Sequence, residues 1–245
     1  MLKKNKLVEL DSKCFYCKKD KGEGEEVIPL EQIKHVDIKR RNIYVLVKGE
    51  EVLIKRFTLP NVKDKYILEQ MIEREIIYYF KDITNMCYSY YICGESKNTL
   101  EIMIFCLNCN GISKIKDIAL KNNLKAVWII QNIFLEYFSK HILQRRFVFM
   151  CNYEDNLYLV ACKEECIVAT KTLRLLSDKI NLSYILEDFL KECCEKDISM
   201  NDTSVYVVNI GKEYLKPLDK KHICIDLGTI NKQEFNAYME RRLKV

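Results

Sequence analysis

The sequence predicts an α/β protein built from two similar lobes, and three observations lead to that fold class. The 245 residues, 49% of them hydrophobic, are enough for two small domains with a buried core. Glycine and proline are scarce, at 7 and 3 residues, which excludes a disordered or fibrous chain. A unit of three antiparallel strands followed by a helix is predicted twice, beginning near positions 35 and 147.

The first unit is predicted from short apolar runs separated by polar turns. Strands are expected over 35–38, 43–47 and 52–59, and Pro60 ends the third. Apolar residues spaced by four, from Ile67 onward, predict a helix that ends near position 81. The rest of this lobe is expected to contain strands over 88–93, 99–107 and 126–128 and helices over 112–121 and 130–143.

The second unit repeats this order. Strands are expected over 147–151, 157–162 and 166–173, followed by a helix over 182–194 with an apolar stripe. Two further strands and a closing helix are predicted over 205–210, 223–227 and 230–243. Asp226-Leu227-Gly228-Thr229 looks like a phosphate-binding turn, but its position predicts a strand end, with Thr229 or Asn231 capping the last helix.

The predicted domain organisation has three parts. Residues 1–30 are densely charged and show no core pattern, so we expect a flexible, charged N-terminal arm. Residues 31–143 are expected to form the first lobe and residues 144–245 the second. A cleft between two such lobes is the default place for a ligand.

Charge and cysteine content restrict the function classes. The net charge of +5, from 40 basic and 35 acidic residues, is too small and too dispersed for nucleic-acid binding, although it would tolerate an anionic membrane surface. No signal peptide and no apolar run of about 18 residues is visible. The twelve cysteines are therefore expected to be reduced thiols in a cytoplasm.

The order of elements and several local matches resemble the PilM family of pilus-assembly proteins, and the secretion-system family GspL is similar in outline. The likeness spans about residues 33–245 as an order of elements. Its local matches lie at 35–38, 43–45, 57–60, 72–80 and 88–92, and it continues through 100–107, 124–128 and the second set of three strands.

The resemblance implies a fold, a location and partners. It implies the actin-like architecture, which is a duplicated ribonuclease-H-like fold. It implies a place at the cytoplasmic face of the inner membrane, in the platform of a type IV pilus or a related secretion machine. There such a protein would hold the short cytoplasmic tail of a PilN-like membrane protein and contact the motor ATPase or a platform protein.

Departures from the actin-like pattern bear on nucleotide binding. Actin-like ATPases carry an Asp-x-Gly turn between their first two strands, because a glycine backbone can approach a phosphate closely. Asp37 fits the acid, but Lys39 stands at the glycine position. The corresponding turn near Asn152 contains no glycine, and only Gly211 remains of the paired glycines expected at the adenosine end. If ATP and magnesium did bind, Asp37, Asn152 and Gly211 would line the cleft.

Cysteine pairs raise a separate possibility. Cys14 and Cys17 form one C-x-x-C pair and Cys106 and Cys109 another, and four thiolates can hold zinc. The long separation of the pairs argues against a shared site, and Cys106 lies in an apolar run that suits a core thiol. Cys14 and Cys17 are the more metal-like pair.

The expected function is that of a scaffold without catalysis, which recognises an extended partner peptide by strand addition or by side-chain pockets. No cofactor is expected, and no catalytic residue is nominated, because no histidine lies near a serine or cysteine in a nucleophile pattern. An actin-like ATPase with unorthodox phosphate loops is the alternative. A small zinc-dependent adaptor that uses the N-terminal arm is a third hypothesis.

Overall fold

A computed structural model describes residues 4–18, 24–35, 41–81, 86–118, 123–164, 166–175, 181–195, 200, 203–219 and 221–244. The strands are β1 (Asn5–Leu10), β2 (Cys14–Lys18), β3 (Glu25–Pro29), β4 (Asn42–Val47), β5 (Leu53–Pro60), β6 (Met86–Glu95), β7 (Thr99–Asn108), β8 (Leu124–Ile129), β9 (Arg146–Tyr153), β10 (Asn156–Lys163), β11 (Cys166–Arg174), β12 (Ser204–Val208) and β13 (Cys224–Asp226). The helices are α1 (Lys65–Phe80), α2 (Asn110–Ile118), α3 (Ile130–Phe138), α4 (Leu182–Glu195), α5 (Lys212–Asp219) and α6 (Lys232–Arg242), and a 3-10 helix spans Leu30–His35.

Two five-stranded sheets have the same topology. The first sheet has the order β3-β2-β1-β4-β8 and the second has the order β11-β10-β9-β12-β13. In each sheet three antiparallel strands come first along the chain, and the two remaining strands add in parallel beside the first strand. The matching order makes the two sheets structural repeats of one unit.

A third, three-stranded antiparallel sheet is inserted in the first repeat, with the order β5-β7-β6. Helix α1 covers one face, where Ile72 and Ile76 pack with Ile102 and Ile104. Asp64 begins α1, because its side chain accepts hydrogen bonds from the first free backbone N–H groups. On the opposite face, Met103 belongs to the core of the second five-stranded sheet.

The two five-stranded sheets differ in how they are covered. The second sheet is packed on both faces, by α3 and α6 on one side and by α4 and α5 on the other. The first sheet has a dry face, where α2 and the 3-10 helix cover Val8, Leu10 and Phe15. Its other face carries polar residues and looks toward α6 across a cavity of about 730 Å³.

The predicted second unit is confirmed, since β9, β10, β11 and α4 lie where the sequence placed three strands and a helix. Asn231 caps α6, as proposed for the last helix, through a reciprocal capping box with Glu234. The split between residues 143 and 144 stays a prediction.

The predicted first unit is wrong, because its three antiparallel strands lie earlier in the chain than the sequence indicated. The segment 1–30 was expected to be a charged arm, yet it forms β1, β2 and β3, the three antiparallel strands of the first sheet. Strand β4 pairs in parallel with β1, and β5 belongs to a different sheet, so no hairpin joins them. The predicted strand at 35–38 falls largely on residues outside the described part of the chain.

Candidate functional site between the two sheets

The two repeats meet where segment 48–52 crosses from the first sheet to the second. The Gly49 N–H donates to the Tyr158 hydroxyl at 2.9 Å. The Val52 N–H donates to Thr170 Oγ1 at 3.1 Å, and the same hydroxyl donates to the Val52 carbonyl at 2.9 Å. Gly49 has φ +69°, a conformation that favours glycine. This strap replaces the hairpin turn expected at these residues.

A buried ion-pair cluster fills the contact point between the repeats. Lys48 Nζ lies 2.6 Å from Glu9 Oε2 and 2.9 Å from Glu154 Oε2, and the Lys48 and Glu9 side chains are only 5% and 8% exposed. Lys232 of α6 lies 2.7 Å from Glu25 Oε2 and 3.6 Å from Glu154 Oε1. We call these five residues the interlobe ion cluster. It links β1, β3 and the end of β4 to the β9–β10 turn and to α6.

Tyr16 forms one wall of this cluster. Lys48 Nζ lies 4.6 Å from the centroid of the Tyr16 ring, and Lys232 Nζ lies 6.0 Å from it, both within range of a cation–π contact. The Tyr16 hydroxyl donates to Asp11 Oδ2 at 2.6 Å. Burial and this bond to the Asp11 carboxylate both raise the pKa of Tyr16, so the phenol stays protonated.

The β1–β2 turn carries the acid that the actin-like pattern requires, at a position the sequence reading missed. Asp11 Oδ1 accepts hydrogen bonds from the backbone N–H groups of Lys13 and Cys14, both at 2.7 Å. Burial alone would raise the pKa of Asp11, but these bonds and the one from Tyr16 outweigh it and lower that pKa. The turn therefore reads Asp11-Ser12-Lys13, with lysine where a phosphate-binding turn has glycine.

The charged groups around the cleft pair with one another, and this arrangement does not favour binding of an anion. Burial lowers the pKa of Lys48, but Glu9 and Glu154 outweigh it and raise that pKa, so the ammonium stays charged and doubly paired. Glu50, the next acid after Lys48, has its pKa raised by burial and by nearby Asp11. A phosphate placed here would meet carboxylates and a lysine that is already neutralised.

The second turn is strained as well as charged. Glu154 has φ +53°, a backbone conformation that usually calls for glycine or asparagine in a two-residue hairpin. Its carboxylate bridges Lys48 and Lys232, which offsets the cost of that conformation. A strained backbone at an acidic residue between two lobes indicates a functional or conformational role for Glu154. The local sequence gives a weaker indication of that role.

Of the three residues nominated for nucleotide contact, the structure describes Asn152 and Gly211. Asp37 lies outside the described residues. Asn152 lies within β9 rather than in the turn, and its Oδ1 is buried without a hydrogen-bond partner in the described part of the chain. Gly211 lies between β12 and α5. Asn152 and Gly211 share the carboxyl-terminal edge of the parallel pair β9–β12, whereas the interlobe ion cluster uses other residues.

The two cysteines of the N-terminal pair lie on opposite faces of one strand. Cys14 and Cys17 are three residues apart in β2, so their side chains point to opposite faces of the sheet. Cys17 packs in the dry core beneath the sheet. Within the described ranges, no three His, Cys, Asp or Glu side chains are placed to hold a metal ion. Burial raises the pKa of Cys106 to about 11, as suits a core thiol.

A second concave feature is a groove of about 670 Å³ bounded by the three-stranded sheet, β8, α3 and the start of β11. We call it the aromatic groove, because Tyr88, Tyr90, Tyr91 and Trp128 line it. Trp128 is partly buried in this wall, where it packs against the core of the second sheet, and its ring lies against that of Tyr44 with centroids 5.3 Å apart.

A polar group sits in the wall of the aromatic groove. The Arg242 guanidinium lies 4.9 Å from the centre of the Trp128 ring and pairs with the Glu136 carboxylate. The same carboxylate accepts a hydrogen bond from the Tyr238 hydroxyl at 2.7 Å. The groove thus combines aromatic walls with one paired cation, a lining suited to a partly apolar peptide.

Comparison with known proteins identifies the class of fold. No protein-family model matches the sequence, and a search of the curated proteins finds no match to it. Among solved structures, a Bacteroides thetaiotaomicron protein with an actin-like ATPase fold and unknown function matches with a TM-score of 0.53 at 10% identity, over 98% of this chain and 95% of that one. The chain therefore has the actin-like fold, and this prediction is confirmed.

A second solved structure is the PilM-PilN type IV pilus biogenesis complex, which matches with a TM-score of 0.58 at 10% identity, over 96% of this chain and 92% of that one. The cytoplasmic domain of EpsL, an inner-membrane component of the Vibrio cholerae type II secretion system, matches with a TM-score of 0.46 at 5% identity. The EpsL score is too low to support an argument. At these identities the PilM likeness concerns the fold alone, and in that respect the likeness suggested by the sequence is confirmed.

Proposed function

We propose that this protein is a non-catalytic scaffold, which holds an extended segment of a membrane protein in the aromatic groove. The observation that carries the proposal is the groove itself. It is preformed, has a volume of about 670 Å³, and lies apart from the interlobe ion cluster. Tyr91, which is 52% exposed, and Trp128 offer large contact areas at low conformational cost, which is typical of sites that recognise peptides. The Tyr88 and Tyr90 side chains pack toward α1, so these residues line the groove from the strand that carries them.

The strands around the groove offer backbone as well as side chains. Strand β8 ends the first sheet beside β4, and β6 ends the three-stranded sheet beside β7, within the part of the chain that the structure describes. Each therefore presents a free edge to which an extended peptide can add as a strand. Backbone pairing would supply affinity, and the aromatic pockets would select apolar side chains.

The lack of catalysis is part of the proposal, and the charge pattern of the cleft supports it. The one lysine buried between the repeats is paired with Glu9 and Glu154, and the first turn has Lys13 in place of glycine. Binding a nucleotide would require these pairs to break and their carboxylates to accept a phosphate or a metal-bound phosphate. An actin-like ATPase remains the alternative function to be tested.

The proposed partner is the cytoplasmic tail of a PilN-like membrane protein, in the inner-membrane platform of a type IV pilus or a related secretion system. The likeness in fold to PilM of the PilM-PilN complex supports this partner. No helix in the described ranges is long and apolar enough to cross a membrane. We propose a cytoplasmic location, peripheral to the membrane, with further contacts to a motor ATPase or platform protein.

The test is to measure binding of the full chain to tail peptides of PilN-like proteins from the same cell by fluorescence anisotropy. Tyr91→Ala and Asn132→Arg, both at the groove, are expected to weaken binding about tenfold or more, as for a central contact. Tyr78→Ala on the exposed side of α1, where the residue is 77% exposed, is the matched control and should bind as the wild type does.

Two outcomes would contradict the proposal. Binding that is insensitive to both groove substitutions would mean that the tail binds elsewhere. Titration with Mg·ATP provides the other test, because the proposal expects no heat and no thermal stabilisation at millimolar nucleotide. One-to-one nucleotide binding that is lost in Asp11→Asn would favour the ATPase alternative.

A further inference from the structure

The most exposed aliphatic side chain among the described residues lies in the link between α3 and β9. Leu143 is 87% exposed, and Lys140, Arg145 and Arg146 surround it in the sequence. An isolated surface leucine needs no explanation, but one held at a tip between cations is a pattern that suggests an interaction. Neither the aromatic groove nor the cavity beside α6 includes Leu143.

A second aliphatic residue lies at the same edge of the second sheet. Ile223, which immediately precedes β13, is 65% exposed. Strands β9, β12 and β13 are parallel neighbours, with Phe147 beside Ser204 and Val205 beside Cys224. Their amino-terminal ends therefore share one edge, and Leu143 and Ile223 flank the central strand at a separation of roughly 10 Å between β9 and β13.

The same edge is basic. Strand β10 ends there with Lys163 beside Arg146 of β9. Lys140, Arg145, Arg146 and Lys163 form no ion pair with any residue in the described ranges, so their charges are not neutralised internally. Glu164 is the acidic residue described next to them. This distribution differs from that of the cleft, where the buried lysine is doubly paired.

The edge is held in place by the backbone. The Leu143 N–H donates to the Tyr206 hydroxyl at 3.3 Å, and the Glu164 N–H donates to the Arg145 carbonyl at 2.7 Å. The Val205 N–H donates to the Ile223 carbonyl at 2.8 Å. Leu143 and Ile223 are thus presented by fixed backbone, and binding would need little additional ordering.

We propose that this edge of the second sheet, which we call the basic edge, binds directly to the surface of an anionic lipid bilayer. Leu143 and Ile223 would enter the headgroup region, and Lys140, Arg145, Arg146 and Lys163 would contact acidic headgroups. A bilayer fits better than a folded partner, because the two exposed aliphatic side chains come from separate links and neither lines the aromatic groove or the cavity beside α6. Apolar insertion combined with cationic attraction is how peripheral proteins hold such membranes.

The basic edge goes beyond the proposed function, because it needs lipid alone and no protein partner. It would also orient the molecule. Cys166 and Ile167, at the start of β11 on this edge, line the aromatic groove. A membrane at the basic edge would therefore place one end of the groove close to the point where a short tail leaves the bilayer.

The test is co-sedimentation of the full chain with vesicles of phosphatidylcholine, either alone or with about one third phosphatidylglycerol. We expect partitioning at least tenfold stronger with the anionic lipid, and weaker binding as salt is raised. Leu143→Ser should lower partitioning about tenfold, as for loss of one inserted leucine. Arg145→Ser with Arg146→Ser should lower it about twenty-five-fold, at roughly fivefold for each unit of charge. Glu164→Gln, which removes one negative charge, should raise it about fivefold.

The matched control is Arg74→Ser with Tyr78→Ser, which removes one exposed cation and one exposed apolar residue from α1. It should leave lipid binding unchanged. A Leu143→Trp variant adds a direct readout, with a blue-shifted emission and quenching by brominated lipids expected beyond those of wild-type Trp128.

Three results would overturn the proposal. One is equal binding to neutral and anionic vesicles, and another is an equal loss in the α1 control. The third is a Leu143→Trp variant that brominated lipid does not quench, which would point to an acidic protein or other polyanion as the ligand. Because the assay contains no peptide, failure here leaves the tail-binding proposal untouched, and loss of tail binding leaves this one untouched.

Discussion

The two five-stranded sheets share one topology but differ in how much of each sheet is buried. In the second sheet, β9, β10 and β12 are buried almost without interruption, because helices cover both faces. In the first sheet, burial alternates along β2, is lost toward the start of β1 and is confined to Ile28 in β3, because one face looks into the cleft. One repeat is therefore a fully packed base, and the other a half-solvated surface that carries the interlobe ion cluster.

This difference shows that two copies of one fold can hold different kinds of side chain. The second sheet buries few polar side chains, and those of Tyr158 and Thr170 form hydrogen bonds with segment 48–52, because an unpaired polar group is costly between two dry faces. The first sheet can hold Glu9, Tyr16 and Glu25 on its wet face while its other face keeps an apolar core with α2. Charged side chains therefore concentrate on the cleft face of the first sheet and on the edges of the second.

The sharpest way to break this comparison is to truncate neighbouring residues along one strand of each sheet. In β9, Phe149→Ala and Met150→Ala point to opposite faces and are both fully buried, so we expect losses of about 3–5 and 2–5 kcal/mol. In β1, Leu10→Ala should cost about 2–5 kcal/mol, whereas Leu7→Ala, at a partly buried position, should cost about 1 kcal/mol.

Free energies of unfolding from urea denaturation would measure all four variants. Equal losses for Leu7 and Leu10 would mean that the cleft face of the first sheet is as dry as its core face. A small loss for either Phe149 or Met150 would mean that one face of the second sheet is not tightly packed. Either result would remove the physical distinction between the two sheets.

The same distinction explains which strands could be predicted from the sequence. Strands β9, β10 and β11 are long apolar runs bounded by polar turns, and the sequence reading located all three. Strands β1 to β3 are short, with five or six residues each, and the run of charges at 18–26 hid the pairing of β2 with β3. The Asp-x-Gly search was therefore aligned to Asp37 when the equivalent turn holds Asp11 and Lys13.

The kind of chemistry at the candidate site was easier to predict from the sequence than the residues that form the site. The missing phosphate glycine was predicted at Asp37 and Lys39 and stays a prediction, whereas the β1–β2 turn of the structure holds Asp11-Ser12-Lys13. Lys48 and Glu154 could not be found, because their pairing joins residues 106 apart and only the tertiary fold brings them together. The one local signal was Lys48, which follows directly after an apolar strand. The segment that begins with Lys48 was predicted to form a hairpin turn.

The next largest effect should come from the interlobe ion cluster. Lys48→Met leaves Glu9 buried without its cation, and removing one partner of a buried pair costs about 3–5 kcal/mol. The triple variant Lys48→Met, Glu9→Gln and Glu154→Gln removes the whole charge set and should recover most of that loss. Thermal and urea unfolding would measure both proteins.

Lys18→Met is the matched control for the cluster, because it breaks an exposed pair with Glu240 that also joins the first sheet to α6. We expect no measurable change in stability from it. If Lys48→Met were equally harmless, Lys48 would be a replaceable side chain, and its pairs with Glu9 and Glu154 would not hold the two repeats together.

The smallest effect concerns α6, the helix that packs on the second sheet and faces the first. Asn231→Ala removes a capping box in which the Glu234 N–H donates to Asn231 Oδ1 at 2.9 Å and the Asn231 N–H donates to Glu234 Oε2 at 3.0 Å, and it should cost about 1 kcal/mol. Asp64→Ala, which uncaps α1, should cost a similar amount but act only on the three-stranded sheet.

Hydrogen exchange separates these two cap variants. Lys232, the first residue of α6, pairs with Glu25 of β3, so fraying of α6 should lower protection in β3 of the first sheet. Asp64→Ala should leave β3 unchanged, because α1 packs on β5, β6 and β7. Unchanged protection of β3 in Asn231→Ala would mean that the first sheet holds its wet face without α6, and that the cleft depends on Lys48 and Glu154 alone.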